Sequence, residues 1–140
     1  MEYRRFDDMI IARIDKDEEI MEVVEKIAES ENIRLASITA IGATDDFTVG
    51  IFDREKGDYK KIRFTGDHEI TGIQGSITTI GGKFRGHMHI TCSNPDGDVV
   101  GGHMLKSNVS LTCEMFIRII DGCADRRHDD DLNIDTLYFQ

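Results

Sequence analysis

The segment Ser93-Asn94-Pro95-Asp96-Gly97-Asp98 constrains the fold of this chain more than any other. It holds the sequence's one proline. Proline presets φ for the first turn position, aspartate tolerates the second, and glycine takes the left-handed third. That chemistry predicts a three-residue hairpin loop, Pro95-Asp96-Gly97, of the type I plus G1-bulge kind. The flanks alternate apolar and polar residues, as half-buried strands do. If Asn94 pairs with Asp98, then Ser93 faces Val99, Thr91 faces Gly101, and His89 faces His103. His87 lies two residues from His89 and points to the same face. Directly opposite Cβ atoms in such a ladder sit about 4.5–5.5 Å apart. The turn therefore gathers three of the chain's five histidines on one face of one hairpin.

That grouping suits a metal. Three neutral imidazoles can hold one zinc at about 2.0–2.1 Å each, leaving a fourth position for water or another ligand. Gly101-Gly102, just before His103, would let a backbone or a ligand approach closely. A bulge at the glycine pair would instead shift the register and undo the pairing. The competing reading is three histidines on a polar sheet face, hydrogen-bonded to carboxylates or water. The turn-specified partner favours the metal.

Charge narrows the function. With 27 acidic against 17 basic residues, the net charge is −10. Tyr59-Lys60-Lys61-Ile62-Arg63 and Arg126-Arg127 are short, and no long basic segment exists. Such a chain lacks the phosphate-neutralising surface that drives nucleic-acid binding. Three unevenly spaced cysteines, with no Cys-x-x-Cys, and a start without an export-length apolar run predict a reducing, cytoplasmic setting and no membrane span. Cys92 and Cys113 fall in apolar-leaning strands and are expected in the core.

Met9 to Ile14 reads as a first strand. Asp15-Lys16-Asp17 supplies helix-capping residues, and Ile20, Val23, Val24 and Ile27 follow a helical stripe that runs to about Glu31. Ile33 to Ile41 reads as a strand or short helix–strand unit ending at Gly42. The rest reads as β: 46–53, 59–65, 68–80, 83–92, 99–106 and 109–121. The tail from Asp129 has no assigned type, and the terminal Leu137-Tyr138-Phe139-Gln140 carries no functional reading. No linker or internal boundary interrupts residues 1–140, so one domain is expected. The fold class is α+β, one helix near the start packed on a largely antiparallel sheet. In 111–119 one parity is wholly apolar, and the other mixes Thr112, Glu114, Phe116 and Arg118. A mixed second face suggests a subunit partner.

Residues 70–119 resemble the PPC domain, the plants-and-prokaryotes-conserved domain. The resemblance rests on Gly75-Ser76-Ile77, His87-Met88-His89, Asp96-Gly97, Gly101-Gly102-His103 and Thr112-Cys113-Glu114, ungapped from His87 to Glu114. Lys106-Ser107-Asn108 departs from the pattern, since many members carry a glycine there. The resemblance implies a compact α+β domain that assembles as a homotrimer. In plants the domain is joined to AT-hook segments that grip DNA, and prokaryotic members are described as DNA-binding by that analogy. This sequence has no Arg-Gly-Arg-Pro hook, so DNA binding without a partner is not expected. At the fold level the domain also resembles α-acetolactate decarboxylase, which holds zinc with a His-x-His pair and a later histidine. That likeness rests on His87, His89 and His103.

The expected function is thus a trimeric, cytoplasmic, metal-binding protein with an assembly or regulatory role. The metal is zinc or another divalent transition metal, since nickel, copper and iron accept the same ligands. The alternative is a metal-dependent lyase or hydrolase on a small oxo-acid, with Glu114 as acid/base or fourth ligand and Arg118 holding a carboxylate. Against that, Glu114 and Arg118 can simply form an exposed ion pair worth about 0–1 kcal/mol. His68, after Gly66-Asp67 in an expected turn, and His128, among four acids, read as charge-paired exposed histidines.

Overall fold

The computed structural model describes residues 1–139; Gln140, the last residue of the terminal tetrapeptide, lies outside the described residues. The chain opens with a hairpin of β1 (Glu2–Phe6) and β2 (Met9–Asp15), whose turn places Asp7 at φ 52°. Helix α1 (Ile20–Ser30) follows. Four long strands come next: β3 (Ala36–Asp53), β4 (Asp58–Ile80), β5 (Lys83–Ser93) and β6 (Val99–Ile119). A final hairpin pairs β7 (Asp125–Asp129) with β8 (Ile134–Tyr138). Strand dominates and only one short helix is present among the described residues. The expected α+β class therefore holds in the looser sense of a sheet-dominated fold with a single helix.

The four long strands close on one another. β3 pairs with β4 and β6, and β5 pairs with the same two, all antiparallel. Such closure needs bent strands. The bends sit at register shifts, Ala40/Gly42 and Thr44/Asp46 on β3 and Ile70/Gly72 on β4. Here the structure corrects the sequence reading. Gly42 and Gly66 do not end strands; they sit within continuous β3 and β4, with Gly66 at φ 91° opposite a bulge. An extra residue at a bulge kinks a strand without breaking it. His68 consequently lies in β4, and the tail after Asp129 continues into a hairpin.

Strand alternation fills the interior. Ile10, Ala12 and Ile14 of β2, Met88, Ile90 and Cys92 of β5, and Cys113, Met115 and Ile117 of β6 are all buried. The two cysteines sit in the core as expected, and burial pushes both thiols up to about 12, so neither is a ready nucleophile. Leu111 departs from its apolar parity and is exposed. α1 lays Ile20, Val23, Val24, Ile27 and Ala28 against β5 and β6. Burying an Ile or Val side chain contributes about 1.5–3 kcal/mol, so this stripe is what holds an 11-residue helix that would be marginal alone.

The helix begins later than expected. Asp17 takes φ 68° in a turn, and Glu19 is the N-cap, its Oε2 accepting from Glu22 N at 2.8 Å. The other carboxylate oxygen of Glu19 accepts from Ser107 N at 3.0 Å. Ser107 is fully buried. Its hydroxyl donates to Thr44 Oγ1 at 3.2 Å, and the Thr44 hydroxyl donates to the Asn108 carbonyl at 2.6 Å. Lys106-Ser107-Asn108, where the sequence leaves the family pattern, is therefore a regularly paired stretch against β3 between two register shifts, clamped by the helix cap. Replacing Glu19 with Ala removes both acceptors. It should cost about 1–2 kcal/mol in urea denaturation, against less than about 0.5 kcal/mol for the exposed Glu25→Ala. Equal losses would mean that the cap does not tie the helix to β6.

Candidate metal centre

The hairpin forms in the register that its turn dictates. Asn94 N donates to the Asp98 carbonyl at 3.0 Å and Gly97 N to the Asn94 carbonyl at 2.9 Å. Asn94 Oδ1 accepts from Asp96 N and Asp98 N, at 3.0 and 2.9 Å, and Gly97 takes φ 86°. Ser93 faces Val99, Thr91 faces Gly101, and His89 faces His103, with no shift at the glycine pair. The glycines serve close packing of strands. A Cβ on Gly101 would collide with the Ile90 carbonyl of β5.

His87, His89 and His103 converge on the side of the hairpin away from Met88, Ile90 and Met104. One ligand nitrogen from each lies within 4.8 Å of the other two. Ring centroids are 5.0 Å apart for His87–His103, 5.4 Å for His87–His89 and 5.5 Å for His89–His103. His89 is exposed and the other two are half-buried. Tyr59 of β4 stacks on His103 at 4.9 Å and 27°. Nδ1 of His103 is buried and has no hydrogen-bond partner. An unsatisfied buried polar atom costs about 1–3 kcal/mol and calls for an explanation.

Two cations border the group. Arg126 reaches in from β7. Its Nε donates to Thr78 Oγ1 at 2.9 Å, Nη1 to the Asp135 carbonyl at 3.2 Å, and Nη2 to His87 Nδ1 at 3.3 Å. A guanidinium only donates, so His87 presents its single lone pair at Nδ1 in this contact. Arg85 lies two residues from His87 along β5, with Nη2 3.9 Å from Asp135 Oδ2. Burial first, then His103, Arg126, His89 and Arg85, pushes His87 down to about 4. His103 is also lowered, by burial and then by His89, Arg85 and Arg126. Both shifts favour the neutral ring, the form that ligates metal.

The remaining candidates lie elsewhere. Glu114 is not part of the three-histidine group. It sits on β6 between Arg13 and Ile41, and lines a shallow cavity with Gln74, Thr39 and Phe116. Arg118 does not pair with Glu114; its Nε is 3.7 Å from Asp8 Oδ2 across an exposed edge. His128 lies against a carboxylate, with Nδ1 3.3 Å from Asp135 Oδ1. His68 does not. Its ring packs edge-on against Phe47 at 5.2 Å and its Nδ1 donates to the Gly66 carbonyl at 2.7 Å. Sequence reasoning missed Arg85, Arg126 and Tyr59. The parity of 85, 87 and 89 would have found the first. Arg126 and Tyr59 arrive from β7 and from β4 beyond a bulge, where local spacing carries no signal.

Comparison with known proteins gives the same architecture. The Plants and Prokaryotes Conserved (PCC) domain matches residues 1–121. A "putative DNA binding protein" from Bacteroides thetaiotaomicron superposes with a TM-score of 0.95 at 23% identity, covering 99% of this chain and 96% of its own. A metal-containing protein from Archaeoglobus fulgidus gives 0.89 at 27% identity, covering 99% and 97%. More distantly, a Staphylococcus aureus protein of unknown function similar to alpha-acetolactate decarboxylase gives 0.57 at 14% identity, covering 82% of this chain and 53% of its own. No curated protein sequence matches the chain.

The lowered histidines predict a pH dependence for protein stripped of metal by chelator. Below its ordinary value of 6.5 an unfolded histidine takes up a proton that folded His87 refuses until about pH 4. Unfolding binds a proton in that window, so stability falls as pH drops from about 6.5 to about 4 and levels off below. His87→Gln should flatten the slope in urea denaturation across a pH series. An unchanged slope would place the proton uptake on another group.

Proposed function

The chain belongs to the Plants and Prokaryotes Conserved (PCC) domain family, and from that premise we propose that it is a metal-binding member in which His87, His89 and His103 hold one divalent transition metal. The observation that carries this reading is the buried, unpartnered Nδ1 of His103 in a group of three converging imidazoles. A metal satisfies that group. Zinc is the first choice, because neutral imidazole suits it and three histidine ligands leave it a fourth position. When bound, the metal supplies a Lewis-acidic site and stiffens the hairpin by joining β5 to β6. The metal content named for the Archaeoglobus protein supports the assignment.

The role we assign is assembly or regulation, as a cytoplasmic homotrimer. Exposed Ile11, Ile41 and Phe116 form a strip across β2, β3 and β6, with Phe116 opposite both Ile11 and Thr39. A contiguous apolar strip on a sheet face favours a subunit partner. The DNA-binding name of the Bacteroides protein does not extend to unaided DNA binding here. Three chains of −10 would carry about −30, and like charge opposes a phosphate backbone. No described helix is long and apolar enough to cross a membrane.

Elemental analysis of protein purified without added metal or chelator should return about one divalent ion per chain. His89→Ala should lose it and His128→Ala should keep it. Equal metal content in the two variants would remove the assignment. Sedimentation equilibrium should give three times 15.8 kDa, and a monomer would remove the assembly role. In fluorescence anisotropy, random duplex DNA should bind more weakly than the roughly 10⁻⁴–10⁻⁶ M typical of non-specific binders at physiological salt. Micromolar binding that weakens steeply with salt would instead make the chain a DNA-binding protein.

A further inference from the structure

Arg126 makes no ion pair among the described residues. It is partly buried, and among the described residues no carboxylate lies within 4.0 Å of its guanidinium. The acid next to it in sequence is used otherwise: Asp125 Oδ1 accepts from Thr79 Oγ1 at 3.2 Å and from the Arg126 backbone N–H at 3.0 Å. Asp135 accepts from Arg126 through its backbone carbonyl, and its carboxylate acts on the guanidinium only at longer range. Its carboxylate is shared between His128, at 3.3 Å, and Arg85, at 3.9 Å. Two guanidiniums thus share at most one distant carboxylate. A partly buried, unpaired charge is costly unless something compensates it, and this one sits in a chain with acid to spare.

The third donor of Arg126 sharpens the point. Nη2 uses the one lone pair of neutral His87. A metal held by the three histidines takes that lone pair, whichever ring nitrogen supplies it. The Nη2 N–H is then left without an acceptor, beside a divalent cation and Arg85. We infer that Arg126 and Arg85, with the metal, form a binding site for a small oxyanion, a carboxylate- or phosphate-bearing molecule seated against the open metal position. The inference rests on the metal reading above. Carboxylate and phosphate share the needed chemistry, at least two oxygens that accept from a guanidinium while one faces the metal.

The test uses the full chain loaded with cobalt(II), whose visible spectrum reports its ligands, titrated with oxalate and with inorganic phosphate. Wild type should bind one cobalt per chain and show a saturable spectral change with at least one anion. The tighter anion assigns the class. Arg126→Gln and Arg85→Gln should each weaken that binding about tenfold or more, the loss of a charge-assisted hydrogen bond. Arg63→Gln, which breaks an exposed pair with Asp46 on β3, should leave it unchanged. Arg126→Gln should also hold cobalt as tightly as wild type or more tightly, because a repelling charge and a competitor for His87 are gone. Opposite movement of metal and anion affinity is the signature; a merely structural arginine would lower both, and that result overturns the inference. Stoichiometric cobalt with no anion response overturns it while leaving the metal reading intact. Failure of wild type to hold cobalt brings down the metal reading and this inference together.

Discussion

His103 is paired on both edges. It faces His89 of β5 on one side and Gly50 of β3 on the other. His89 in turn faces Gln74 of β4, and Gln74 faces Thr39 of β3. The ring of ladders closes through this point, so its register cannot slip without cost. A one-residue shift of β5 would turn Met88, Ile90 and Cys92 out of the core. At about 1.5–3 kcal/mol for each large apolar side chain, that loss rivals the net stability of a small domain. The same register that packs the core therefore sets the imidazoles side by side. The proposed metal centre thus takes its geometry from the hydrophobic effect, with a five-residue ladder as intermediary.

How much of this the sequence carried depends on range. The β5–β6 turn is local, and its proline, glycine and Asn94 specify the loop completely; the three histidines followed from it. The helix stripe is local too. Bulges are not. Gly42 and Gly66 look like strand ends in sequence, because glycine serves turns and bulges alike. Only the partner strands distinguish them, and those lie tens of residues away. The N-cap was misplaced for a similar reason. Asp15 and Asp17 are good caps by type, but Glu19 wins by also holding Ser107 N, a contact that spans 88 residues. Glu114 was marked by the Thr112-Cys113-Glu114 motif and by sharing parity with Arg118; neither signal ties it to His103, from which register shifts along β6 separate it.

Charge makes the centre unlike the rest of the molecule. The chain is strongly acidic, yet around the histidines the charged groups are mainly guanidiniums. Arg126 and Arg85 both oppose protonation of His87 and His103. Neutral imidazoles keep their lone pairs for a metal, so the arginines favour the ligating form through the proton. They disfavour the bound state through direct repulsion of the cation. The two effects oppose each other, and an anion near the guanidiniums resolves the conflict by screening the repulsion while leaving the histidines neutral. A centre of this composition works best when three charges of alternating sign are present together.

The origin of those parts separates two functions in the chain. The three histidines lie within the residues that match the PCC domain, 1–121. Arg126 and Asp135 lie beyond it, on the β7–β8 hairpin, which reaches the ring by a single parallel pairing of Asp125 with Thr79. Its other ties are side-chain contacts: Arg126 to Thr78 and His87, Asp125 to Thr79, Asp135 to Arg85, and Asn133 to the Gly57 carbonyl. So thin an attachment can change without disturbing the closed ladders, whereas a change at His89 or His103 strikes the register itself. The three histidines proposed as ligands are thus bound to the fold, together with Arg85 of β5, while Arg126 rides on an appended hairpin. Divergence in that hairpin would alter specificity at little expense to stability, which is the arrangement expected where one scaffold serves several ligands.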